Sequence, residues 1–358
     1  MSALLEIIKD RIRTEGPMDL GEYMALCLSH PQHGYYMTRD PFGAAGDFTT
    51  APEISQLFGE MIGVWLADIW AQMGKPSEFV LLECGPGRGT LMADILRATK
   101  KVSGFHRAAK VHLMEISPVL IESQRKNLTG YDTRWISDLT QLNSTSPVLV
   151  VANEFLDALP VRQVERKGSD VFERVVSLLE ADKLSITLRL ANDDLSPLIK
   201  SGGGDGISEI SPVLNQFVKQ LANLLKKQKG VALFIDYGHA KTGLGDTIQA
   251  VKLHRFENIF DTPGHVDLTA HVDFENVQNI AKTEGVTTHG PVSQGGFLRE
   301  LGIEVRAQML KLGASDSQGE QIESGMHRLI DTEQMGILFK VLALCNDPKI
   351  TPAGFGNN

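Results

Sequence analysis

The chain has 358 residues, of which 42% are apolar and 22% charged, and its formal net charge is −9. That length suits two domains or one domain with large insertions, and the negative charge argues against wholesale binding to a nucleic acid backbone. Three scattered cysteines (Cys27, Cys84, Cys345) with no C-x-x-C or Cys/His cluster support neither a disulfide framework nor a zinc site, and no apolar run reaches the ~18–20 residues that span a bilayer.

The N-terminus, MSALLEIIKDRIRTEG, carries acids and lacks a signal-type apolar core, so it is expected to be a helix of the mature protein and not a targeting segment. Leu4, Leu5, Ile8 and Ile12 fall on one face of that helix. Gly16-Pro17 stops it, and Asp19 is placed to cap a second helix over Leu20–Ser29. The next stretch, HPQHGYYMTRDPFGAAGDFTTAPE, is too irregular for an element, and its Tyr35, Tyr36, Phe42 and Phe48 argue against disorder. Thr50 and Glu53 have the spacing of a capping box, with Pro52 in the first turn, ahead of the apolar helix in ISQLFGEMIGVWLADIWAQMG.

Strands and helices then alternate. Strands are predicted over 79–84, 111–117, 133–136, 147–155 and 230–238, with a helix from Pro118 and another from about Pro212 to Lys227. Continuous apolar strands in such an alternation imply a mainly parallel sheet covered on both faces, an α/β fold. Residues 161–190 alternate polar and apolar and predict an antiparallel hairpin insertion, and SGGGDG (201–206) predicts a flexible connection. Beyond strand five, the stretch up to about residue 273 shows little regular periodicity. A helix over 273–284, a short strand near Val286–His289, an inserted helical stretch over 293–335, a last strand over 336–345 and a loose tail over 346–358 complete the pattern.

The chemistry centres on FVLLECGPGRGT, residues 79–90, where an apolar strand ends in Glu83 and a turn with Gly85, Gly87 and Gly89 leads into a helix. Glycines admit close approach of a ligand to the backbone, and the helix N-terminus offers unpaired N–H groups. A tight turn without a ligand is the plainer reading of the loop alone. The spacing G-x-G-x-G does not meet the dinucleotide fingerprint, and a carboxylate at the mouth would repel a pyrophosphate. Glu83 suits a ligand bearing an ammonium and a sulfonium, which points to S-adenosylmethionine (SAM). Glu115, at the end of the second strand, is placed to accept both ribose hydroxyls, and Asp138, beyond the third, to accept from the adenine amino group. NEFLDALP (153–160) follows the fourth strand, so Asn153, Glu154 and Asp157 are the candidate acceptor clamp beside the transferable methyl. Asp47, Thr49, Thr50 and Glu53 belong to the glycine-rich loop, which as a lid would exclude water and order the cofactor. Asp236 at the end of strand five is a candidate supporting acid. His265, Asp267 and His271 are better explained by a hydrogen-bonded turn than by a metal, which the chemistry does not require. Two other classes stay open at this point: a non-catalytic SAM-binding chaperone and an NAD-dependent oxidoreductase, the latter disfavoured by the G-x-G-x-G spacing and Glu83.

GDFTTAPEISQLFGEMIG, LLECGPGRG, VVANEFLDALPV, FIDYG, GHVDLTAHVDF and MGILFKVL together resemble the MidA-like SAM-dependent methyltransferase family, in the same order, from about residue 15 to about residue 345. The resemblance implies a class I (Rossmann-like) methyltransferase fold, a seven-stranded mainly parallel sheet with a helical N-terminal extension and insertions. It divides the chain into a helical N-terminal region with the lid loop (1–75), the first half of the core (76–160), the hairpin insertion and linker (161–211), the second half (212–292), a helical insertion (293–335), the last strand (336–346) and a tail (347–358). It also implies SAM as cofactor and, from the mitochondrial members, symmetric dimethylation of an arginine in a core subunit of respiratory complex I during assembly. The partner is then a protein, with no nucleic acid and no membrane span, and a homodimer is admitted. The absence of a transit peptide favours a bacterial cytoplasmic homologue, the eukaryotic relatives working in the mitochondrial matrix.

Overall fold

The computed structural model of the chain describes residues 2–41, 43, 46–47, 49–191, 195 and 204–356. Phe42, Phe48, residues 201–203 of the SGGGDG connection and residues 357–358 of the tail lie outside the described residues. The chain divides into two units. One takes residues 1–48, 157–217 and 242–271; the other takes 49–156, 218–241 and 272–358.

The second unit is built on one sheet. Its strands are β1 (Phe79–Cys84), β2 (Ala109–Met114), β3 (Thr133–Ile136), β4 (Val148–Asn153), β5 (Val231–His239), β6 (Thr287–Ser293) and β7 (Phe339–Cys345). The order across the sheet is β3-β2-β1-β4-β5-β7-β6, and a two-residue strand, Val272–Asp273, pairs with the end of β5. The first five strands run parallel, and β7 is antiparallel to both β5 and β6. Every residue of β1 and β4 is buried, as the continuous apolar runs require. The strand order turns around between β1 and β4, so the crevice at their carboxyl ends is where an open α/β sheet takes its ligand.

Helices α1 (Gln56–Gln72), α2 (Thr90–Thr99), α3 (Pro118–Asn127), α4 (Phe274–Thr283), α5 (Gln294–Glu300), α6 (Ile303–Lys311) and α7 (Asp316–Ile330) belong to this unit. The core gathers Leu57, Phe58, Trp65 and Trp70 of α1, the sheet residues Leu81, Leu149 and Leu233, and Phe297 of α5. Gly59 and Gly63 face α2, where a Cβ on Gly59 would lie 2.4 Å from Asp94 Cβ. One helical turn apart, these small residues let α1 and α2 pack closely. Buried Glu60 accepts from Arg97 Nη1 at 2.6 Å and from Arg306 Nε at 2.7 Å, which ties α1, α2 and α6 together.

Several boundaries move. The second strand is Ala109–Met114, so Glu115 lies just beyond it, and Ser117 caps the helix that Pro118 opens. The last strand begins at Phe339, because Met335–Leu338 form a helical turn, and the strand expected near Val286–His289 is Thr287–Ser293. The tail is not loose. Ile350 is buried, Trp65 Nε1 donates to the Ala353 carbonyl at 3.0 Å, and the Phe355 ring lies 5.4 Å from that of Phe297. The tail covers apolar surface that would otherwise meet water, a contribution its polar composition conceals.

The first unit begins with the helix Ala3–Glu15, which buries Leu4, Ile8 and Ile12 and ends at Gly16, φ +88°. Asp19 caps the second helix, Leu20–Ser29, by accepting from the Glu22 N–H at 2.8 Å. The expected hairpin is part of a larger sheet. Strands Arg162–Lys167, Asp170–Leu179 and Lys183–Leu190 are joined by Gly206–Ile210 and by Met18–Asp19, five strands in all. The segment without clear periodicity contains three short strands, Gln249–Lys252, Arg255–Glu257 and Asp267–Thr269, too short to show a period of two. Tyr23, Tyr35, Val176, Val266 and Leu268 belong to the core of this unit.

Candidate active site

The glycine turn sits at the end of β1. Gly85, Gly87 and Gly89 have φ of +64°, +52° and +81°, conformations that cost a residue with a Cβ ~1–2 kcal/mol each. A Cβ on Gly85 would lie 2.7 Å from Phe155 Cδ2. Gly89, in the left-handed conformation, is the N-cap of α2.

Glu83 is the last acid of β1 and is buried. Burial pushes its carboxyl well above the usual carboxylate range. The nearby Glu115 adds to the rise, while a hydrogen bond from the Met92 backbone opposes it. Its Oε2 has no hydrogen-bond partner. The Oδ1 of Asn153, buried at the end of β4, also has none. Leaving a buried acceptor unsatisfied costs ~1–3 kcal/mol, so two of them at the ends of adjacent strands fit a ligand that brings donors. The cationic amino acid end of SAM is such a ligand.

Glu115 is held from three sides. Its Oε1 accepts from the N–H groups of Ile116 and Ser117, each at 2.8 Å, and its Oε2 accepts from Gln124 Nε2 at 3.1 Å. Burial raises its carboxyl above the usual range, and these donors oppose that rise. Asp138 caps the short 3-10 turn Leu139–Gln141 through the N–H and hydroxyl of Thr140, which hold its carboxyl below the usual range.

After β4 the backbone turns at Glu154, a non-glycine residue with φ +50°. Such a conformation stores of order 1–3 kcal/mol and persists only where neighbours impose it. Here the Glu154 N–H donates to the Ile235 carbonyl at 2.9 Å. Buried Asp236 accepts from the N–H groups of Phe155 (3.1 Å) and Leu156 (2.9 Å) through Oδ2, and from that of Tyr237 through Oδ1. Asp236 is thus the acid that fixes the turn. The Glu154 carboxylate accepts through Oε1 from the Ala51 N–H at 3.0 Å and from Asn153 Nδ2 at 3.2 Å.

The capping box expected at Thr50 and Glu53 does not form. Thr50 is the N-cap of the short helix Ala51–Ile54 but makes no side-chain cap, and α1 is capped instead by Ser55. Glu53 turns to the glycine turn, accepting from Thr90 Oγ1 at 2.5 Å and pairing with Arg88 at 3.5 Å. A charged partner outcompetes the backbone N–H that the box would have used. Thr49 is half-buried.

Asp47 and Asp157 belong to the first unit. The Asp47 carboxylate accepts from Tyr35 Oη at 2.8 Å and from the Leu253 N–H at 3.0 Å. The carbonyl of buried Asp157 accepts from Ala270 N–H, and its carboxylate helps to raise the Tyr36 phenol, whose main cause is burial. Of the GHVDLTAH residues, Asp267 accepts from Tyr36 Oη, His265 bonds with Arg39 and the His271 N–H donates to Thr247 Oγ1. No metal-ligand cluster occurs among the described residues.

Reading the sequence missed Gln124. A glutamine inside PVLIESQRKN looks like one more polar residue of an exposed helix face, yet it is fully buried on α3 and reaches the glycine turn. Only the register of α3 against the loop reveals it.

Over residues 61–292 the chain matches the family described as "Putative S-adenosyl-L-methionine-dependent methyltransferase". The chain belongs to this family. The methyltransferase is 38% identical to the "Protein arginine methyltransferase NDUFAF7 homolog, mitochondrial" of Drosophila melanogaster, over 96% of this chain and 84% of that one. It is 35% identical to the Caenorhabditis elegans homolog of the same name (95% and 86% covered) and 32% identical to NDUFAF7 of Danio rerio (97% and 88%). Its fold is similar to a crystal structure from Burkholderia thailandensis bound to S-adenosyl-homocysteine, with a TM-score of 0.83 and 26% identity over 99% of this chain and 93% of that one. The class I, Rossmann-like methyltransferase fold is therefore present, and SAM, not NAD, is the cofactor. No helix among the described residues is long and apolar enough to cross a membrane.

Proposed function

We propose that this methyltransferase transfers methyl groups from SAM to an arginine of a protein substrate, a respiratory complex I core subunit or its bacterial counterpart, during assembly. The curated relatives named as protein arginine methyltransferases support the acceptor class. The single observation that carries the reading is the anchored, conformationally strained Glu154 at the carboxyl end of β4.

SAM, when bound, supplies an electrophilic methyl group on a sulfonium. Glu83 and Asn153 would hold its amino acid end, the glycine turn its closest approach to the backbone, and Glu115 its ribose. The protein's remaining task is to present a nucleophile. A guanidinium is protonated at neutral pH and its nitrogen lone pair is delocalised. A carboxylate that pairs with it localises the charge on the far nitrogens and accepts the proton that methylation releases. Glu154 is suited to this because the Ala51 N–H and Asn153 fix its carboxylate, the Ile235 carbonyl accepts its N–H and Asp236 accepts the N–H groups of the two residues after it. Orientation of this kind can account for several kcal/mol of a displacement barrier, roughly 7–11 in favourable cases. The compartment that goes with this reading is the bacterial cytoplasm or the mitochondrial matrix, where SAM meets newly made respiratory subunits.

The test is incubation with labelled SAM and lysate from cells that lack this protein, followed by mass spectrometry of the labelled band. Methylarginine in a respiratory subunit is the expected product. Label confined to small molecules or nucleic acid would overturn the reading.

A further inference from the structure

Gln124 has no exposed surface, and its amide nitrogen donates to both the glycine turn and Glu115. Nε2 donates to the Gly87 carbonyl at 2.7 Å and to Glu115 Oε2 at 3.1 Å, while Oε1 accepts from Trp135 Nε1 at 2.8 Å. The orientation of the amide follows from chemistry. An indole N–H can only donate, so Oε1 must face Trp135; a carbonyl and a carboxylate can only accept, so Nε2 must face Gly87 and Glu115. The Cγ of the same side chain would lie 3.3 Å from a Cβ on Gly89. One turn along α3, Asn127 Nδ2 donates to the Arg88 carbonyl at 2.9 Å.

We propose that Gln124 is a positioning residue for SAM, joining the glycine turn to the ribose-facing carboxylate of Glu115 so that the two halves of the cofactor site keep one geometry. Glu115 shows why such a residue is needed. Its Oε1 is saturated by two backbone N–H groups, so its remaining acceptor capacity lies at Oε2, the oxygen whose place Gln124 sets. The Gly87 carbonyl belongs to a residue in positive φ with no side chain of its own to hold it in place. Trp135, at the other end of the amide, carries Arg125 stacked on its ring at 4.4 Å, which keeps the indole N–H aimed inward. The inference rests on the SAM reading of the glycine turn and Glu115.

The experiment is a calorimetric titration of the full-length protein with S-adenosyl-homocysteine, repeated on Gln124→Met and Gln124→Glu. Gln124→Met keeps the volume and removes both donors, so its Kd should rise about tenfold while the unliganded protein still melts cooperatively. In Gln124→Glu a protonated carboxyl can replace one donor and an ionised one cannot. The charged groups around it are Glu115 with nearby Glu83, Arg125 over Trp135, and the Arg88–Glu53 pair. With the carboxyl at position 124 and that of Glu115 titrating as a coupled pair, its Kd relative to the unsubstituted protein at the same pH should be within about threefold at pH 6 and climb about tenfold by pH 8.5. Unchanged affinity in a folded Gln124→Met, or a flat pH ratio for Gln124→Glu, overturns the proposal. Loss of fold in both variants overturns it in favour of a purely structural role. Absence of binding by the unsubstituted protein overturns the SAM reading itself, and the positioning role with it.

Discussion

The backbone N–H of Ala51 donates to Oε1 of Glu154 at 3.0 Å, joining residues 103 positions apart in the chain. Two residues on, Glu53 accepts from Thr90 and pairs with Arg88 in the glycine turn. The four-residue helix Ala51–Ile54 thus touches both the glycine turn and the carboxylate proposed to hold the acceptor.

Replacing Glu154 by Gln keeps an acceptor for the Ala51 N–H but removes the charge that would localise the guanidinium. We expect SAM affinity within about threefold of the unsubstituted protein and methyl transfer reduced about 10²–10⁴-fold. Titration with S-adenosyl-homocysteine beside a labelled-methyl assay separates the two quantities. Full transfer would remove Glu154 from the mechanism.

Asp236→Asn leaves one oxygen but exchanges the other for a donor facing backbone N–H groups. At least one of Phe155, Leu156 and Tyr237 then loses its acceptor. A stability loss of about 2–3 kcal/mol should show in urea unfolding, together with a kcat that falls more than KM for SAM rises. An unchanged kcat in the folded variant would separate the turn from the chemistry.

Gly85→Ala places a Cβ at φ +64° and 2.7 Å from Phe155 Cδ2. The expected cost is about 2–3 kcal/mol of stability and a large loss of SAM affinity, because relief of the contact must move either the cradle or the residue after Glu154. Denaturant midpoints and equilibrium dialysis read the two effects; wild-type values for both would show that the turn tolerates a side chain.

Glu83 makes the site sensitive to pH. Its folded pKa lies above the unfolded value because of burial, so its contribution to stability is complete below the ordinary carboxylate range and is lost as pH rises through the raised folded value. Ligand-free Glu83→Gln should therefore melt roughly 3–5 °C higher than the unsubstituted protein at pH 8 and no higher at pH 4. In the unsubstituted protein, a cationic ligand end favours the ionised form, so SAM binding should release a proton. Calorimetry in two buffers of different ionisation enthalpy measures that release, and equal heats would contradict it.

Deleting residues 347–358 should cost about 3–5 kcal/mol, since it removes Ile350 and the Phe355 ring and uncovers Trp65 and Phe297. A truncated protein with an unchanged unfolding midpoint would show the packed tail to be dispensable.

Much of this was legible because it is written locally. The apolar run of β1, the positive-φ glycines after it and the acids Glu83 and Glu115 follow from strand periodicity and from the shape of a strand–turn–helix unit. The cap at Asp19 and the Pro118 helix start were equally readable. The capping box at Thr50 and Glu53 was misread for the opposite reason: the pattern is local, but Thr90 and Arg88, about 37 positions away, are better partners for Glu53 than a backbone N–H. The tail looks loose in the sequence because its few apolar residues show no period, and the groups that hold it, Trp65 on α1 and Phe297 on α5, lie far away in the chain.

By itself the sequence determined the α/β alternation, the glycine turn and the acids at the strand ends, because each is set by residues within a few positions of one another. Only the tertiary structure decided the sheet order β3-β2-β1-β4-β5-β7-β6, the hold of Asp236 on the turn after β4, the Ala51–Glu154 bond and the place of Gln124. Those contacts join segments dozens of residues apart, and a buried hydrogen bond between distant segments leaves no periodicity in either one.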